Sequence, residues 1–343
     1  MSHTYFPQWK RVLMTHSEAI VRPDEYLPPT QTVAMAAQHV VAMFGSTILA
    51  PLLMGFDPNL AILMSGIGTL IFFVFVGGRV PSYLGSSFAF IGGVVAVTGY
   101  VQGSGANANI GVALGAIIMC GLAYTLIGLV VWLVDRHSGQ AAALINRLMP
   151  PVVTGAIVAV IGLNLAPLAA KSAMGTSTFE SLMALMTILC VGGVAVFSRG
   201  MVQRLLILVG LLIACTLYAV FTNGLGYGVP MDFSSVRAAA WFGMPSFAAP
   251  VFEAKAISII VPVAIILVAE NLGHVKAVSA MTGENLDPYL GRAFMGDGIA
   301  TMVSGSMGGT GVTTYAENIG VMAATRIYSS LVFAVAALIA IFL

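Results

Sequence analysis

Apolar stretches long enough to cross a lipid bilayer follow one another along this chain. A membrane-spanning helix needs about 20 mainly apolar residues, because the hydrocarbon core of a bilayer is about 30 Å thick. The third, ninth and tenth stretches are short or interrupted by glycine. The eleven stretches are 32–54, 58–77, 84–100, 110–134, 151–170, 178–197, 204–222, 256–275, 293–306, 308–325 and 327–343. This pattern predicts an all-α polytopic membrane protein.

The composition supports the same class. Charged residues make up 8% of the chain and hydrophobic residues 59%. Soluble domains carry roughly 25% charged residues, so the water-soluble classes are excluded. The net charge of +1 gives no reason to expect a nucleic acid as a partner, and the lipid bilayer is the expected environment. The cysteines Cys120, Cys190 and Cys215 lie in apolar stretches, and we interpret them as small core residues.

The basic residues predict an orientation. Residues 1–30 are mixed and polar, without the continuous apolar segment of a signal peptide. If this segment lies in the cytoplasm, most of the 14 basic residues fall on the cytoplasmic side, and only Lys171, Arg237 and Lys255 fall outside. Cytoplasmic loops of membrane proteins are enriched in Lys and Arg. The distribution therefore predicts a cytoplasmic N-terminus.

Two carboxylates lie inside apolar stretches. A charge at the centre of a bilayer costs about 3 kcal/mol even on the lenient insertion scale, so such residues usually mark a substrate or proton pathway. Glu317 stands beside Asn318 in the tenth stretch. Glu270 and His274 in the eighth stretch are four residues apart and share a helix face. This second pair predicts a substrate and proton site, although a hydrogen-bonded pair that joins helices is the simpler alternative.

An internal repeat links the third and tenth stretches. Ser86–Gly93 matches Thr313–Gly320 in its two hydroxyls, its aromatic residue, its alanine and its final glycine. The two segments lie seven stretches apart, which predicts inverted halves, and chance similarity is the alternative. Ser, Thr and Gly disfavour helix, so we expect a short irregular or strand-like segment in each repeat, followed by a half-helix that begins near Ala89 or Ala316. The N-terminus of such a half-helix attracts polar ligands with carbonyl oxygens.

Other polar residues are weaker candidates. Gln38 and His39 in the first stretch could contact a ligand or make a structural hydrogen bond. Asp297 in the ninth stretch could cap a helix or act as an acid behind the site, which we favour. His39 and His274 are too isolated to indicate a metal site. No soluble-enzyme motif is visible, so we assign no catalytic residue and expect no enzyme.

The segment Glu317–Arg326 matches the pattern Glu/Gln/Pro-Asn-x-Gly-x-x-x-x-Thr-Arg/Lys/Gly at every fixed position. On this signature the chain resembles the nucleobase–ascorbate transporters, also called nucleobase:cation symporter-2 or xanthine/uracil permeases. Gln38-His39 matches the first-helix motif of that family. Arg79–Phe90 and Ala269–His274 resemble bacterial uracil permeases, and within the family the likeness is greatest to pyrimidine permeases of the Rut type.

The resemblance implies a fold of fourteen spans in two inverted sevens, with short strands in spans 3 and 10. About 11 of the 14 spans would then be present, so we expect a chain truncated at its C-terminus without spans 12–14. It implies a multi-pass protein of the inner (plasma) membrane that forms dimers. The implied parts are a cytoplasmic segment (1–30), core spans 1–4 (31–135), gate spans 5–7 (150–222), an extracytoplasmic loop (223–255) and core spans 8–11 (256–343).

The resemblance also implies roles for individual residues. Glu270 and Glu317 would hold the base, and Phe88 would pack on it. The backbone at Tyr315 and Ala316 would donate amide contacts. His274, with Glu270, would couple transport to protons, and no cofactor other than this coupling ion is implied. Secondary candidates are Gln38, His39, Asn318, Asp297 and Ser87.

Two departures from the family pattern concern the site. Ala316 stands where uracil permeases commonly have glycine, which would narrow the pocket by a methyl group. Asn271 stands where a histidine is often found, which removes any proton role there.

The expected function is import of uracil by proton symport. The alternatives are a xanthine or uric acid permease and a truncated protein that binds without transporting. A sulfate-like anion carrier is disfavoured because two buried carboxylates would repel its substrate.

Overall fold

The computed structural model describes residues 4–12, 20–139, 141–174, 177–198, 202, 206–234, 237 and 243–343. The chain forms two compact units, one of Met1–Ile161 with Ser246–Leu343 and one of Gly162–Pro245. Arg199 and Arg204, two of the basic residues used to predict the orientation, lie outside the described residues.

Helices dominate the described residues. The described ranges contain thirteen α-helices, a π-helical turn at Val220–Gly224 and a 3₁₀ turn at Asp287–Tyr289. In chain order they are α1 Pro29–Met54, α2 Pro58–Phe75, α3 Phe90–Thr98, α4 Ile110–Ser138, α5 Ala141–Leu148, α6 Pro151–Ala173, α7 Thr178–Phe197, α8 Leu206–Ala219, α9 Ala254–Ile260, α10 Val263–Thr282, α11 Leu290–Met307, α12 Ala316–Thr325 and α13 Ser330–Ile341.

Every described helix except α5 overlaps a predicted apolar stretch, and α5 lies between the fourth and fifth stretches. In the part of the chain that the structure describes, five helical segments are long and apolar enough to cross a membrane, and Val209–Gly224 and Ser330–Ile341 are shorter apolar helices. One of the five, Ala254–Thr282, consists of α9 and α10, and Pro262 lies at the N-terminal boundary of α10. The predicted helical membrane class is confirmed.

The third and tenth stretches each contain a strand followed by a half-helix, as predicted. The strands β3 (Leu84–Ser86) and β4 (Val312–Thr314) pair with each other in antiparallel orientation. Gly85 pairs with Thr313, and Ser86 pairs with Val312. The repeat alignment equates Gly85 with Val312 and Ser86 with Thr313, so exchanging the repeats converts one pair into the other. This symmetric register supports the internal repeat, while the full arrangement of seven plus seven spans stays a prediction.

Small residues allow α11 to pack closely on α4. A Cβ atom added at Gly121 would lie 2.7 Å from the carbonyl oxygen of Gly298, and one at Gly291 would lie 2.5 Å from the backbone nitrogen of Trp132. Glycines at helix crossings let backbones approach in membranes, where packing contacts drive association. Of the glycines that interrupt the ninth stretch, Gly298 and Gly305 face α4 and Gly296 faces α2, and α11 stays helical throughout.

The described residues of the N-terminal segment pack against the helices of the first unit. The strands β1 (Lys10–Arg11) and β2 (Glu25–Tyr26) form a parallel pair. Beside them, Val21 donates its N–H to the carbonyl oxygen of Arg326 at 3.0 Å and accepts from the N–H of Tyr328 at 2.8 Å. Arg326 has φ 57, the only positive φ outside glycine in the described residues. A non-glycine residue in this region costs about 1–3 kcal/mol. The segment therefore stabilises the strained end of α12.

The second unit contains α7 and α8, whose described apolar side chains are mostly half-buried or exposed, as expected of surfaces that meet lipid. One sequence interpretation is wrong here. Cys120 is buried in the first unit, but Cys190 is half-buried and Cys215 is exposed, so these two are not core residues. In an apolar membrane helix the sequence does not distinguish a residue that faces protein from one that faces lipid, because both surroundings are apolar.

Candidate functional site

The half-helix α12 begins with free backbone donors at the end of β4. Its first position, Ala316, is exposed, and no side chain caps the helix. The N–H groups of Ala316, Glu317 and Asn318 have no hydrogen-bond partner in the described part of the chain. The N-terminus of a helix carries partial positive charge and unpaired donors. This end of α12 can therefore bind a carbonyl oxygen.

Glu317 lies in the first turn of α12 and is half-buried. Its Oε1 accepts a hydrogen bond from the hydroxyl of Ser46 on α1. A carboxylate near a helix N-terminus is stabilised by the helix dipole. The side chain is thus held from two directions while part of it remains accessible.

Glu270 lies on α10, which packs against α12, the helix that carries Glu317. Its Oε2 is buried and has no hydrogen-bond partner among the described residues. Buried carboxylate oxygens are normally paired with a donor. The oxygen is therefore available to a donor that enters the site.

His274 lies one helical turn after Glu270 and is half-buried. Its Nδ1 is 2.7 Å from the hydroxyl oxygen of Thr314 on β4. The sequence predicted that His274 shares a face with Glu270, and the structure gives the ring a partner on the strand instead of the carboxyl group. The contact joins α10 to the strand pair directly beneath the start of α12.

Asp297 is fully buried in the middle of α11, so the alternative that it caps a helix is wrong. Its Oδ2 accepts from the side-chain amide of Asn271 at 2.5 Å, and the hydroxyl of Tyr124 lies 3.5 Å from the same oxygen. Asn271 follows Glu270 in sequence. Asp297 is thus placed behind the site, where it anchors α10 to α11 through Asn271.

Gln38 and His39, the polar pair on α1, differ in their hydrogen bonding. His39 is buried, and its Nδ1 and carbonyl oxygen both accept from the side-chain amide of Asn318 at 3.0 Å. Gln38 is also buried, but neither of its side-chain polar atoms has a partner among the described residues. His39 therefore makes a structural hydrogen bond, whereas Gln38 keeps an amide that water or a ligand could complete.

The two aromatic candidates, Phe88 and Tyr315, differ in burial. Phe88 lies in the turn between β3 and α3 and is half-buried. Tyr315 is buried, donates its hydroxyl to the carbonyl oxygen of Ser86 at 2.9 Å and donates its backbone N–H to Tyr83 at 2.9 Å. Because that N–H is used in the strand pair, Ala316 is the free amide donor of the two predicted. Ser87 is fully buried, and its hydroxyl accepts from the N–H of Ala89 at 3.3 Å.

A profile of the Permease family matches residues 30–343, nearly the whole chain. The chain belongs to the permease family. This result confirms the resemblance that the Glu317–Arg326 signature predicted, and it makes the chain a multi-pass membrane protein. The coarse class is therefore a transporter.

Named relatives agree with the profile. A protein of Escherichia coli (strain K12), provisionally named pyrimidine permease RutG, is 62% identical over 338 residues, which cover 98% of this chain and 75% of that protein. A uracil permease of Paenibacillus larvae is 39% identical over 95% of this chain and 76% of its own length. The uracil permease of Escherichia coli (strain K12) is 38% identical over 93% of this chain and 72% of its own length.

A solved structure shares the fold. The transmembrane domain of the cyanobacterial bicarbonate transporter BicA superposes with a TM-score of 0.64 at 14% identity, covering 91% of this chain and 82% of that domain. At this identity the similarity concerns the fold alone.

Two site residues of this permease were missed by the sequence analysis, Ser46 and Thr47. Both are buried on α1, and Thr47 lies 3.4 Å from the hydroxyl of Tyr315. The available signal was a pair of hydroxyl residues inside an apolar stretch, two helical turns after His39. Threonine and serine are common in membrane helices, so the sequence gave no reason to prefer these two.

Proposed function

We propose that this permease imports a nucleobase, with uracil as the first candidate, and that the base lies between Glu270, Glu317 and the N-terminus of α12. The names of the relatives support the substrate class. The observation that carries the proposal is that two half-buried carboxyl groups lie on helices that pack together, that one of them has an oxygen without a partner among the described residues, and that the helix of the other begins with free backbone donors.

The chemistry of uracil matches these groups. Its ring has two N–H donors and two carbonyl acceptors. Carboxylates accept from N–H, and the free amide of Ala316 can donate to a carbonyl oxygen. Phe88 offers an accessible aromatic face for the flat ring. An anion such as sulfate lacks the N–H donors and would be repelled by the two carboxylates.

We propose that a proton accompanies the base. The unpartnered Oε2 of Glu270 is completed by a donor, which can be a substrate N–H or a proton. His274 lies one helical turn from Glu270 and is hydrogen-bonded to Thr314. We propose that its protonation changes when the charge of Glu270 changes. No cofactor other than the proton is required by this scheme, and no catalytic role is assigned to any residue.

The remaining features are proposed for the same function. Residues 31–135 and 256–343 would form the core that carries the substrate, and 150–222 would belong to the gate. The second compact unit, Gly162–Pro245, lies inside the stretch proposed for the gate and the loop that follows it. We propose an inner-membrane location with a cytoplasmic N-terminus, and a dimer as the working assembly.

Uptake of radiolabelled uracil and xanthine by cells that produce the protein tests the proposal, alongside binding of both bases to the purified protein. Glu270→Gln removes one acceptor and is expected to lower uracil uptake at least 10-fold, since hydrogen bonds to charged groups contribute about 1.5–3 kcal/mol. Glu253→Gln is the matched control, because Glu253 is exposed and its side chain makes no capping bond at the start of α9.

Each outcome tests a different part of the proposal. Preference for xanthine over uracil would replace the substrate but keep the site. Binding without uptake would indicate a protein that only binds. Unchanged uptake by Glu270→Gln would remove the assigned role of that residue, and uptake that resists a protonophore would refute proton coupling.

A further inference from the structure

One face of α1 holds the start of α12 in place. His39 is hydrogen-bonded to Asn318, and Ser46 is hydrogen-bonded to Glu317. The hydroxyl of Thr47 lies within hydrogen-bond distance of the hydroxyl of Tyr315. His39 and Ser46 are seven residues apart, two helical turns, so they lie on the same side of α1. The side chain of Ala316, between these contacts, is the one left exposed. The accessible end of α12 is therefore positioned by α1 on either side of it.

The hydroxyl of Ser46 bonds outside its own helix, unlike several threonine hydroxyls of this unit. Thr98, Thr125 and Thr325 each donate to the carbonyl oxygen of the residue four positions earlier in their own helix. This local bond is the usual partner of a helical hydroxyl. Ser46 instead donates across the site to Oε1 of Glu317. The hydroxyl of Ser46 therefore joins α1 directly to the carboxylate in the first turn of α12.

The bond restricts how the carboxylate can meet a ligand. A carboxylate offers two oxygens, each with two acceptor positions, and it can rotate to present either one. With Oε1 engaged by Ser46, rotation of the Glu317 carboxylate is limited. Ser46 is buried, with 7% exposure, so water does not readily replace its hydroxyl. The orientation of the acceptor is therefore set before a ligand arrives.

We propose that Ser46 is a positioning residue that orients Glu317 toward a substrate N–H and so sets the discrimination between a base that carries this N–H and one methylated at that nitrogen. The inference rests on the proposed function, because it names the ligand contact of the same site. A correctly oriented carboxylate rejects an analogue without the N–H, since its own oxygen is then left unpaired. Without Ser46 the carboxylate can turn away from the methyl group.

The test measures the KM and maximal rate of uracil uptake, and inhibition by 1-methyluracil and 3-methyluracil. Ser46→Ala is expected to raise KM about 10-fold with a smaller change in maximal rate, which is the size of effect for a hydrogen bond to a charged group. It is also expected to narrow the preference for uracil over at least one methylated base. Ser46→Thr keeps the hydroxyl and is expected to keep both values near those of the wild type.

Thr125→Val is the matched control, because it removes a partly buried hydroxyl whose hydrogen bond stays within α4. It is expected to change neither KM nor the preference. If Ser46→Ala is not produced in the membrane, Ser46→Cys takes its place, since it keeps the size of serine with a weaker donor. Binding of uracil to the purified variants then reports affinity without requiring transport.

The outcomes distinguish the two levels of the proposal. An unchanged KM and an unchanged preference in Ser46→Ala, with a wild type that takes up uracil, would overturn the role of Ser46 and leave the function standing. A higher KM with the preference intact would also overturn it, because that is the result of a purely structural role. A wild type that neither binds nor takes up uracil would refute the function itself.

Discussion

The side-chain amide of Asn318 donates to His39 at two atoms, with Nδ2 at 3.0 Å from both Nδ1 and the carbonyl oxygen of the histidine. An amide NH₂ group only donates, so Nδ1 of His39 accepts and the ring proton lies on Nε2. The ring also packs against Phe333, with the centroids 4.5 Å apart. His39 therefore links α1, α12 and α13, and the Asn318 of the family signature serves this link.

The substitution Asn318→Asp tests the link. An ionised carboxylate cannot donate, so both acceptors of His39 would lose their partner in a buried place. We expect a loss of about 1–3 kcal/mol of stability, the usual cost of an unsatisfied buried group, together with a large loss of uptake. Thermal unfolding of the purified protein and uracil uptake measure the two effects. Asn285→Asp is the control, because Asn285 is exposed and its Oδ1 accepts from the backbone N–H of Asp287, a role that aspartate retains. Equal stability of both variants would contradict the link.

The strand pair depends on a glycine beside it. A Cβ atom at Gly311 would lie 2.1 Å from Cε2 of Phe90, the first residue of α3. Gly311→Ala should therefore push α3 or β4 out of place, at a cost of about 1–3 kcal/mol. Gly92→Ala is the comparison, since a Cβ there meets nothing within 4 Å. The melting temperature and the uptake should fall in Gly311→Ala and stay unchanged in Gly92→Ala. A normal Gly311→Ala protein would show that the two segments are not tightly packed.

Two adjacent serines should respond in opposite ways. Ser330 donates its hydroxyl to Pro23 at 2.8 Å and accepts from the indole N–H of Trp9 at 3.0 Å, so it fastens the N-terminal segment to α13. The hydroxyl of Ser329, also fully buried, has no partner among the described residues. Ser330→Ala should destabilise the protein by about 1–2 kcal/mol, and Ser329→Ala should be neutral or slightly stabilising. Thermal unfolding and limited proteolysis of the N-terminal segment provide the measurement. The reverse order would mean that this segment is not held in place by Ser330.

The pH dependence of stability should include Glu284, which lies outside the spans. Partial burial, followed by Asp24 and Glu25, raises the pKa of this carboxyl above its usual 4.5, and Arg22 and Arg79 oppose the shift. A carboxyl group whose pKa is raised in the folded state favours folding below its unfolded pKa, and this contribution is lost as pH rises through the folded pKa. Glu284→Gln should therefore raise the melting temperature at pH 7 and make little difference near pH 4. An equal effect at both pH values would show that charge is not its cause.

Much of the fold could be predicted because its signals are local. The long apolar stretches marked the helices, and the Ser/Thr/Gly segments before Ala89 and Ala316 marked the strands and half-helices. The two carboxylates were found because a charged residue is rare in such a setting. The signature of Glu317–Arg326 was sufficient to predict the family, which the profile over residues 30–343 confirmed.

The missing parts of the site are contacts between distant segments. The sequence could not show that Ser46 bonds to Glu317 or that His274 bonds to Thr314, because hydroxyl residues are common in membrane helices and carry no mark of their partner. It also assigned the Tyr315 amide to a ligand, whereas the strand pair uses that N–H. The N-terminal segment looked like a polar cytoplasmic extension, and its order depends on backbone bonds to residues about 300 positions later in the chain.

The sequence by itself determined the membrane class, the helix positions, the repeated strand and half-helix, and the permease family, because these follow from hydropathy, from propensity and from a local signature. The tertiary structure decided which polar groups are satisfied and which are free. Thr314, Tyr83 and His39 satisfy some of the candidates, while the amide of Ala316 and one oxygen of Glu270 remain available. That division depends on which helices meet, because a polar side chain can contact a ligand only through the donors or acceptors that the fold leaves without a partner.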